Sequence, residues 1–372
     1  MSSLAASERF QNLIRDLRLI RNTSEQSGWP AAELDALKSA GGYRWNLPAE
    51  FQGEGRTPVE ILEAYQMLGG ASLVTAFILT QRNAACQRIE NSRNEIARRL
   101  WLPQLADGAV TATIGISHLT TSRQHLAQPA VSAVRDPVRQ GFVLNGTVPW
   151  ATGAERSDLL VTGGTCPDGT QLLAAIPRRE EGVEVGPSVV LLALSRSETS
   201  AFGLRNVFVS DEHVLHGPVE RVMTASAGGG AGSLATSALA LGAAGDSLRQ
   251  CAAELLGRDA QMFLLDSLQA EYRILTSALL AGTESCSQAM SMSADELRRR
   301  ANLLAIRAAQ VWLGSTKGAG FVSGHPAERA VRESMFFLVW SCPQPVVDST
   351  LQELAGVSRP ISADKLHAAT NM

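Results

Sequence analysis

Apolar residues recur along the chain with two different periods, and the switch between them divides it. Near the start, Phe10, Leu13, Ile14 and Leu17 follow the spacing of one helical face. The same period continues through Ile61, Leu62, Tyr65 and Leu68 and through Ile96, Leu100 and Leu105, so residues up to about Gly108 read as helical. From Ala109 the texture changes to short runs, VTATIGIS, FVLNGTV, DLLVTGG, QLLAAIP and NVFVS, separated by Gly, Pro and Asp turn signals. After Gly217 helical spacing returns, in an Ala/Gly-rich stretch from Ala225 to Gly245, then from Leu255 to Leu280 and from Leu297 to Trp312. The small residues of that stretch predict closely approaching helices. The pattern predicts an α+β chain in three parts: an N-terminal helical domain over 1–108, a middle β domain over 109–217 and a C-terminal helical domain over 218–372.

Composition narrows the class of molecule. A chain of 372 residues is long enough for two or three cores. It is 45% hydrophobic and 19% charged with a net charge of -3, so it has no basic field to hold a phosphate backbone, and nucleic acid is not expected as a partner. The most apolar run, Ala71 to Leu79, is too short to cross a bilayer. Glu8, Arg9, Arg15 and Asp16 interrupt the opening residues, which argues against a secretory signal. The cysteines, Cys86, Cys166, Cys251, Cys286 and Cys342, are scattered and form no CxxC, the spacing of neither a disulfide framework nor a zinc site. A cytoplasmic protein is the expectation. The glycine run Ser226 to Gly232 follows no strand and lacks GxxxxGK[ST], so it reads as a linker rather than a phosphate loop.

Several motifs carry chemistry. WNLPAEFQGEG (Trp45 to Gly55), FVLNGTVPWAT (Phe142 to Thr152), LRNVFVSDEHVLHG (Leu204 to Gly217) and GAGFVSGHPAERAVRE (Gly318 to Glu333) together resemble the acyl-CoA dehydrogenase superfamily over nearly the whole chain. The resemblance implies that the middle domain is a β-barrel or sandwich and the C-terminal domain a four-helix bundle. It also implies an FAD cofactor and a homodimer or homotetramer. On the matching positions it implies that Trp150 and Thr152 wall the flavin, an indole covering the ring plane and a hydroxyl polarising its edge. Gly318 and Gly320 would admit the adenylate half of FAD from a neighbouring subunit, where only glycine lets backbone come so close. Arg258, eleven positions before Gln269, would pair with the pyrophosphate, although Gln261 and Met262 replace the usual Phe-Gly.

The chain departs from the family in two loops. SHLTTSR replaces Thr-Glu-Pro-Gly-x-Gly-Ser-Asp, so Ser117 stands for the Thr, Ser122 lies near the later Ser, and His118 takes the Glu position, as a satisfied loop histidine or a titrating group. Aligning Arg332-Glu333 with the family's Arg-Asp places Ser341 on the catalytic glutamate and Pro343 on another flavin-contacting Thr. The alternative base position falls on Gly232, next to Ser233. A serine cannot take the weakly acidic α-proton of an acyl thioester, a task suited to a buried carboxylate. Cys342 reads as a buried inert thiol or, beside positive neighbours, a reactive one, and Pro343 and Pro345 predict a stiff turn that keeps Cys342 and Gln344 out of a helix.

Three functions follow. The resemblance first implies an FAD-dependent oxidoreductase acting on the CH–CH group of an acyl thioester, carried on CoA or a carrier protein, with its base unassigned. Next comes a flavin-dependent monooxygenase on the same scaffold, which needs no glutamate. Last is a subunit that binds flavin or acyl thioester without turnover. An electron-transfer flavoprotein or a flavin reductase is the corresponding protein partner.

Overall fold

A computed structural model describes residues 3–23, 28–120, 128–225, 234–257, 259–283 and 292–357. Helices α1 (Glu8–Thr23), α2 (Ala31–Ser39), α3 (Pro58–Ala71), α4 (Leu73–Glu90) and α5 (Glu95–Asp107) come first. Phe10, Leu13, Ile14 and Leu17 are all buried, as their spacing predicts. Helix α3 starts on a capping box: the Thr57 hydroxyl accepts from the Glu60 N–H while the Glu60 carboxylate accepts from the Thr57 N–H, with Pro58 pre-set in the first turn. Helix α5 stops at Gly108, whose φ of 70° is the left-handed conformation that ends helices.

The middle of the chain holds β1 (Ala112–Ile114), the short helix α6 (Ser117–Thr120), β2 (Val131–Asp136), β3 (Gly141–Ala151), β4 (Leu159–Thr165), β5 (Gln171–Pro177), β6 (Val183–Val185), β7 (Ser200–Ser210) and β8 (Val214–Val219). They form one sheet in the order β6-β7-β3-β2-β4-β5-β8, with β1 beside β4. β4 pairs in parallel with β1 and β2, and the other pairings are antiparallel. Both faces are covered. Leu159, Val161, Leu173 and Ala175 pack on Ala85, Ile89, Leu102 and Leu105 of α4 and α5. The alternate residues Leu160, Leu172, Ala174 and Ile176 pack with Phe142, Leu144 and Phe202 on the other side. This is why DLLVTGG and QLLAAIP read as continuous apolar runs rather than alternating ones.

The chain returns to helix in α7 (Val222–Ala225), α8 (Leu234–Glu254), α9 (Asp259–Ala281), α10 (Ala294–Ser315), α11 (Lys317–Gly320), α12 (Pro326–Met335) and α13 (Gln344–Leu354). Helix α8 packs against α3, α9 and α10. At the α3/α8 crossing a Cβ on Gly242 would lie 2.1 Å from the Gln66 carbonyl oxygen, so glycine is what lets the backbones meet. The Ala/Gly richness of this stretch is therefore a packing requirement.

The structure corrects two expectations. The helical period starting at Leu255 is broken, since α8 ends at Glu254 and α9 begins at Asp259. The two prolines do not hold Gln344 out of a helix: Pro343 precedes α13 and Pro345 lies in its first turn, where a missing N–H costs nothing. The turn is confined to the residues just before, with Ser341 at φ 48°.

Candidate functional site

A cavity of about 1210 Å³ opens where the N-terminal helices, the sheet and the C-terminal helices converge. Helix α3 contributes Ile61 and Tyr65, α4 contributes Phe77 and Asn83, the β1–α6 segment contributes Ile114 and Ser117, and β3 with its end contributes Trp150 and Thr152. Phe336, Trp340 and Ser341, between α12 and α13, close the opposite side. There an aromatic cluster forms: Phe336 and Trp340 stack with centroids 5.0 Å apart and planes 14° apart, and Phe77 meets them edge-on at 4.9 and 5.0 Å. Such offset and edge contacts fix ring positions beyond what burial alone does.

The polar wall is differently built. Trp150 leaves β3 with 48% of its surface exposed. Thr152 is buried; its hydroxyl accepts from Thr199 at 3.3 Å and its carbonyl accepts from the Thr113 hydroxyl at 2.7 Å. Ser117 Oγ and both amide atoms of Asn46 are buried and have no partner. Buried polar atoms left unpaired cost about 1–3 kcal/mol each, so three of them beside one cavity mark places for a ligand's polar atoms. The charged lining consists, among the described residues, of Arg56 and Arg332. Arg56 is paired with Glu54 and Glu60, and Arg332 with Glu328. Among the described residues the lining contains no carboxylate, histidine, cysteine or lysine.

Four of the residues singled out from sequence, Ser117, Trp150, Thr152 and Ser341, meet at this cavity. Gly318 and Gly320 do not: they lie on α11, away from the cavity of their own chain. A Cβ on Gly320 would come 1.8 Å from the Thr316 hydroxyl oxygen, whereas Gly318 is exposed with open space around it. Phe321 and Val322 beside them are 80% and 62% exposed. Arg258, Gly232, Ser233 and Ser122 lie outside the described residues.

His118 sits behind the wall rather than in it. It is buried, its Nε2 lies 3.0 Å from the Gly163 carbonyl, its Nδ1 is unpartnered, and burial pushes its pKa down. A neutral ring donating from Nε2 to Gly163 fits a loop histidine held by one hydrogen bond, with its second nitrogen unsatisfied. Cys342 does meet a positive neighbour: its Sγ is 4.0 Å from Arg298 Nη2 and donates to the Phe337 carbonyl at 3.3 Å. Arg298 is fully buried, burial drives its pKa down, and it donates to the Trp340 carbonyl at 2.9 Å, anchoring the turn that presents Ser341. Sequence reasoning missed Asn46, Phe77 and Asn83 and took Tyr65 for a core residue only. For Tyr65 and Asn83 the available signal was a polar group on an otherwise apolar helical face; Asn46, in a turn, and Phe77, an ordinary apolar helix residue, carried none.

The layered order helix, sheet, helix is that of the acyl-CoA dehydrogenase fold, which solved structures share over nearly all of this chain. No family model matches the chain. A glutaryl-coenzyme A dehydrogenase complex matches with a TM-score of 0.77 at 17% identity, covering 94% of this chain and 96% of that one. TdsC from Paenibacillus sp. A11-2, solved with FMN and indole, also gives a TM-score of 0.77 at 17% identity, covering 94% and 95%. In sequence, the isobutylamine N-hydroxylase of Streptomyces viridifaciens is 25% identical over 55% of this chain and 54% of its own length. The dibenzothiophene monooxygenase of Rhodococcus qingshengii is 26% identical over 51% and 46%. The chain thus spans about half the length of the curated relatives it matches.

Proposed function

We propose that the chain is a flavin-dependent oxidoreductase of this fold and that its reaction is oxygen insertion into a small, mostly apolar substrate, with reduced flavin delivered by a separate reductase. The observation that carries this reading is the lining. A cavity large enough for a flavin ring and a substrate has Ser341 at the family's glutamate position and no carboxylate among its described residues. Abstraction of an α-proton needs a positioned base, whose loss costs about 10²- to 10⁴-fold, while oxygen insertion does not. The sequence relatives named as an N-hydroxylase and a dibenzothiophene monooxygenase support the same direction.

The residues present fit a flavin. The half-exposed Trp150 offers an indole face, and Ser117, Thr152 and Asn46 offer polar atoms of which several have no protein partner. A reduced flavin held here would supply two electrons to molecular oxygen, which with two protons would place one oxygen atom on the substrate and release the other as water. The chain's own part is to hold and enclose. Trp150 and Thr152 bind and orient the ring system, and the Phe77, Phe336 and Trp340 cluster presents an apolar surface that excludes water from the reacting pair. FAD is the form the family resemblance implies, with Gly318, Gly320 and Arg258 serving a neighbouring copy in a homodimer or homotetramer. The exposed Phe321 and Val322 beside Gly318 support such an assembly. Among the described residues no helix is long and apolar enough to cross a membrane, and a cytoplasmic location belongs to this proposal.

Dehydrogenation of an acyl thioester, with an electron-transfer flavoprotein as acceptor, is the second reading. It is supported by the full-length likeness to glutaryl-CoA and butyryl-CoA dehydrogenases. It requires a base from outside the described residues. The two separate cleanly: bleaching of bound flavin by acyl-CoAs without oxygen supports the second, and oxygen-dependent product formation with reduced flavin supports the first. Failure to bind FAD or FMN at all would overturn both.

A further inference from the structure

Three buried side chains determine which way the Tyr65 hydroxyl can act. Tyr65 on α3 and Arg82 and Asn83 on α4 are 5%, 4% and 2% exposed. Arg82 Nη1 donates to Asn83 Oδ1 at 2.9 Å, its Nη2 donates to the Leu105 carbonyl, and its guanidinium lies 4.2 Å over the Tyr43 ring. A guanidinium has donors only, so the Asn83 atom facing it is the oxygen and the amide orientation is fixed. Asn83 Nδ2 therefore faces Tyr65 and donates to its oxygen at 2.7 Å. The Tyr65 oxygen already accepts one hydrogen bond, and among the described residues no group accepts the Tyr65 proton. Burial pushes the Tyr65 pKa up to about 12, so the proton stays on at neutral pH. Tyr65 and Asn83 both line the cavity.

We propose that Tyr65 is a dedicated hydrogen-bond donor for the bound substrate, and that the cavity selects neutral, largely apolar molecules carrying a lone-pair acceptor atom. Arg82 and Asn83 are positioning residues: the buried cation orients the amide, and the amide turns the phenol proton away from itself. A low-dielectric chain of this kind also strengthens each successive bond. Anionic substrates are disfavoured because Arg56 and Arg332 already pair with glutamates. The proposal rests on reading this cavity as the substrate chamber.

The test compares two flat probes of the same shape, quinoline with a ring-nitrogen acceptor and naphthalene without one, by equilibrium dialysis against the full flavin-loaded chain. The quinoline-to-naphthalene affinity ratio is expected to be about 5- to 30-fold higher in wild type than in Tyr65→Phe, because dehydrating the ring nitrogen costs the same in both and only wild type offsets it with a hydrogen bond. In Tyr65→Phe the loss is expected in quinoline binding, with naphthalene bound at least as tightly as before. Asn83→Asp is expected to do the same with the phenol intact, because a carboxylate accepts from Arg82 and Tyr65 alike and redirects the proton. An affinity ratio that is unchanged in Tyr65→Phe, or failure of both probes to bind, would overturn the assignment. A wild-type ratio that survives only in folded Asn83→Asp would overturn the positioning role; should that variant not fold, Tyr65→Phe decides. The readout is binding, so absence of oxygen-dependent turnover would sink the oxygenase reading without altering this ratio.

Discussion

Replacing Trp150 with alanine removes the indole that the proposed flavin site presents to its ligand. With 48% of the residue exposed and roughly 250 Å² on a tryptophan side chain, about 120 Å² is available for a ligand to cover. If about half is covered by one ring face, burial at about 25 cal/mol per Å² contributes roughly 1.5 kcal/mol. Ring-stacking geometry adds about 0.5–1.5 kcal/mol. The sum, about 2–3 kcal/mol, corresponds to a dissociation constant raised about 30- to 150-fold. The assay is a titration of purified protein with FAD and with FMN, followed by equilibrium dialysis. It is run well below the thermal transition of the variant, because the buried half of the indole also contributes to folding. A folded Trp150→Ala protein that binds either flavin within about twofold of wild type, in line with ordinary surface substitutions, would refute the assignment of this wall.

Other consequences test the same architecture. Gly242→Ala forces a methyl toward the Gln66 carbonyl and is expected to destabilise by about 1–3 kcal/mol; an unchanged urea midpoint would remove the close crossing of α3 and α8 from the account. Ser117→Ala deletes a buried hydroxyl that has no partner, so stability should hold or rise, while flavin affinity falls about 3- to 10-fold. For His118 the folded pKa is depressed by burial below the ordinary value of about 6.5. The unfolded chain then binds the proton first, so stability from this group is full above about pH 6.5 and is lost as pH falls below it. His118→Gln, which keeps a donor for Gly163, should flatten that part of the stability curve relative to wild type, and parallel curves for the two proteins would contradict the reading.

Periodicity made the three-part order legible because the apolar faces that drive burial are spelled out locally: Phe10, Leu13, Ile14 and Leu17 on a helix, and the doubly buried β4 and β5 as continuous runs. Trp150 and Thr152 came instead from the family resemblance of one short segment, and they meet at the cavity because they sit at and just past the end of β3. Asn46, Phe77 and Asn83 were not legible, because their meeting depends on how the turn between α2 and α3, helix α4 and the segment after α12 converge, which no local pattern encodes. Asn83 is one polar residue on a buried helix face, and its meaning comes only from Arg82 on one side and Tyr65 on the other. The paired prolines misled for a related reason: whether a proline ends or begins a helix depends on the position of the first turn, which the tertiary contacts of α13 decide.

The central claim is that this cavity couples reduced flavin to oxygen without a protein base. The most direct measurement supplies the purified chain with flavin, a flavin reductase and NADH, adds quinoline or indole under ¹⁸O₂, and follows the label by mass spectrometry, with a parallel anaerobic incubation of oxidised, flavin-loaded protein with a panel of acyl-CoAs. The account predicts one ¹⁸O atom in the product and no bleaching of the flavin by any acyl-CoA. Bleaching by an acyl-CoA together with unlabelled substrate would contradict it.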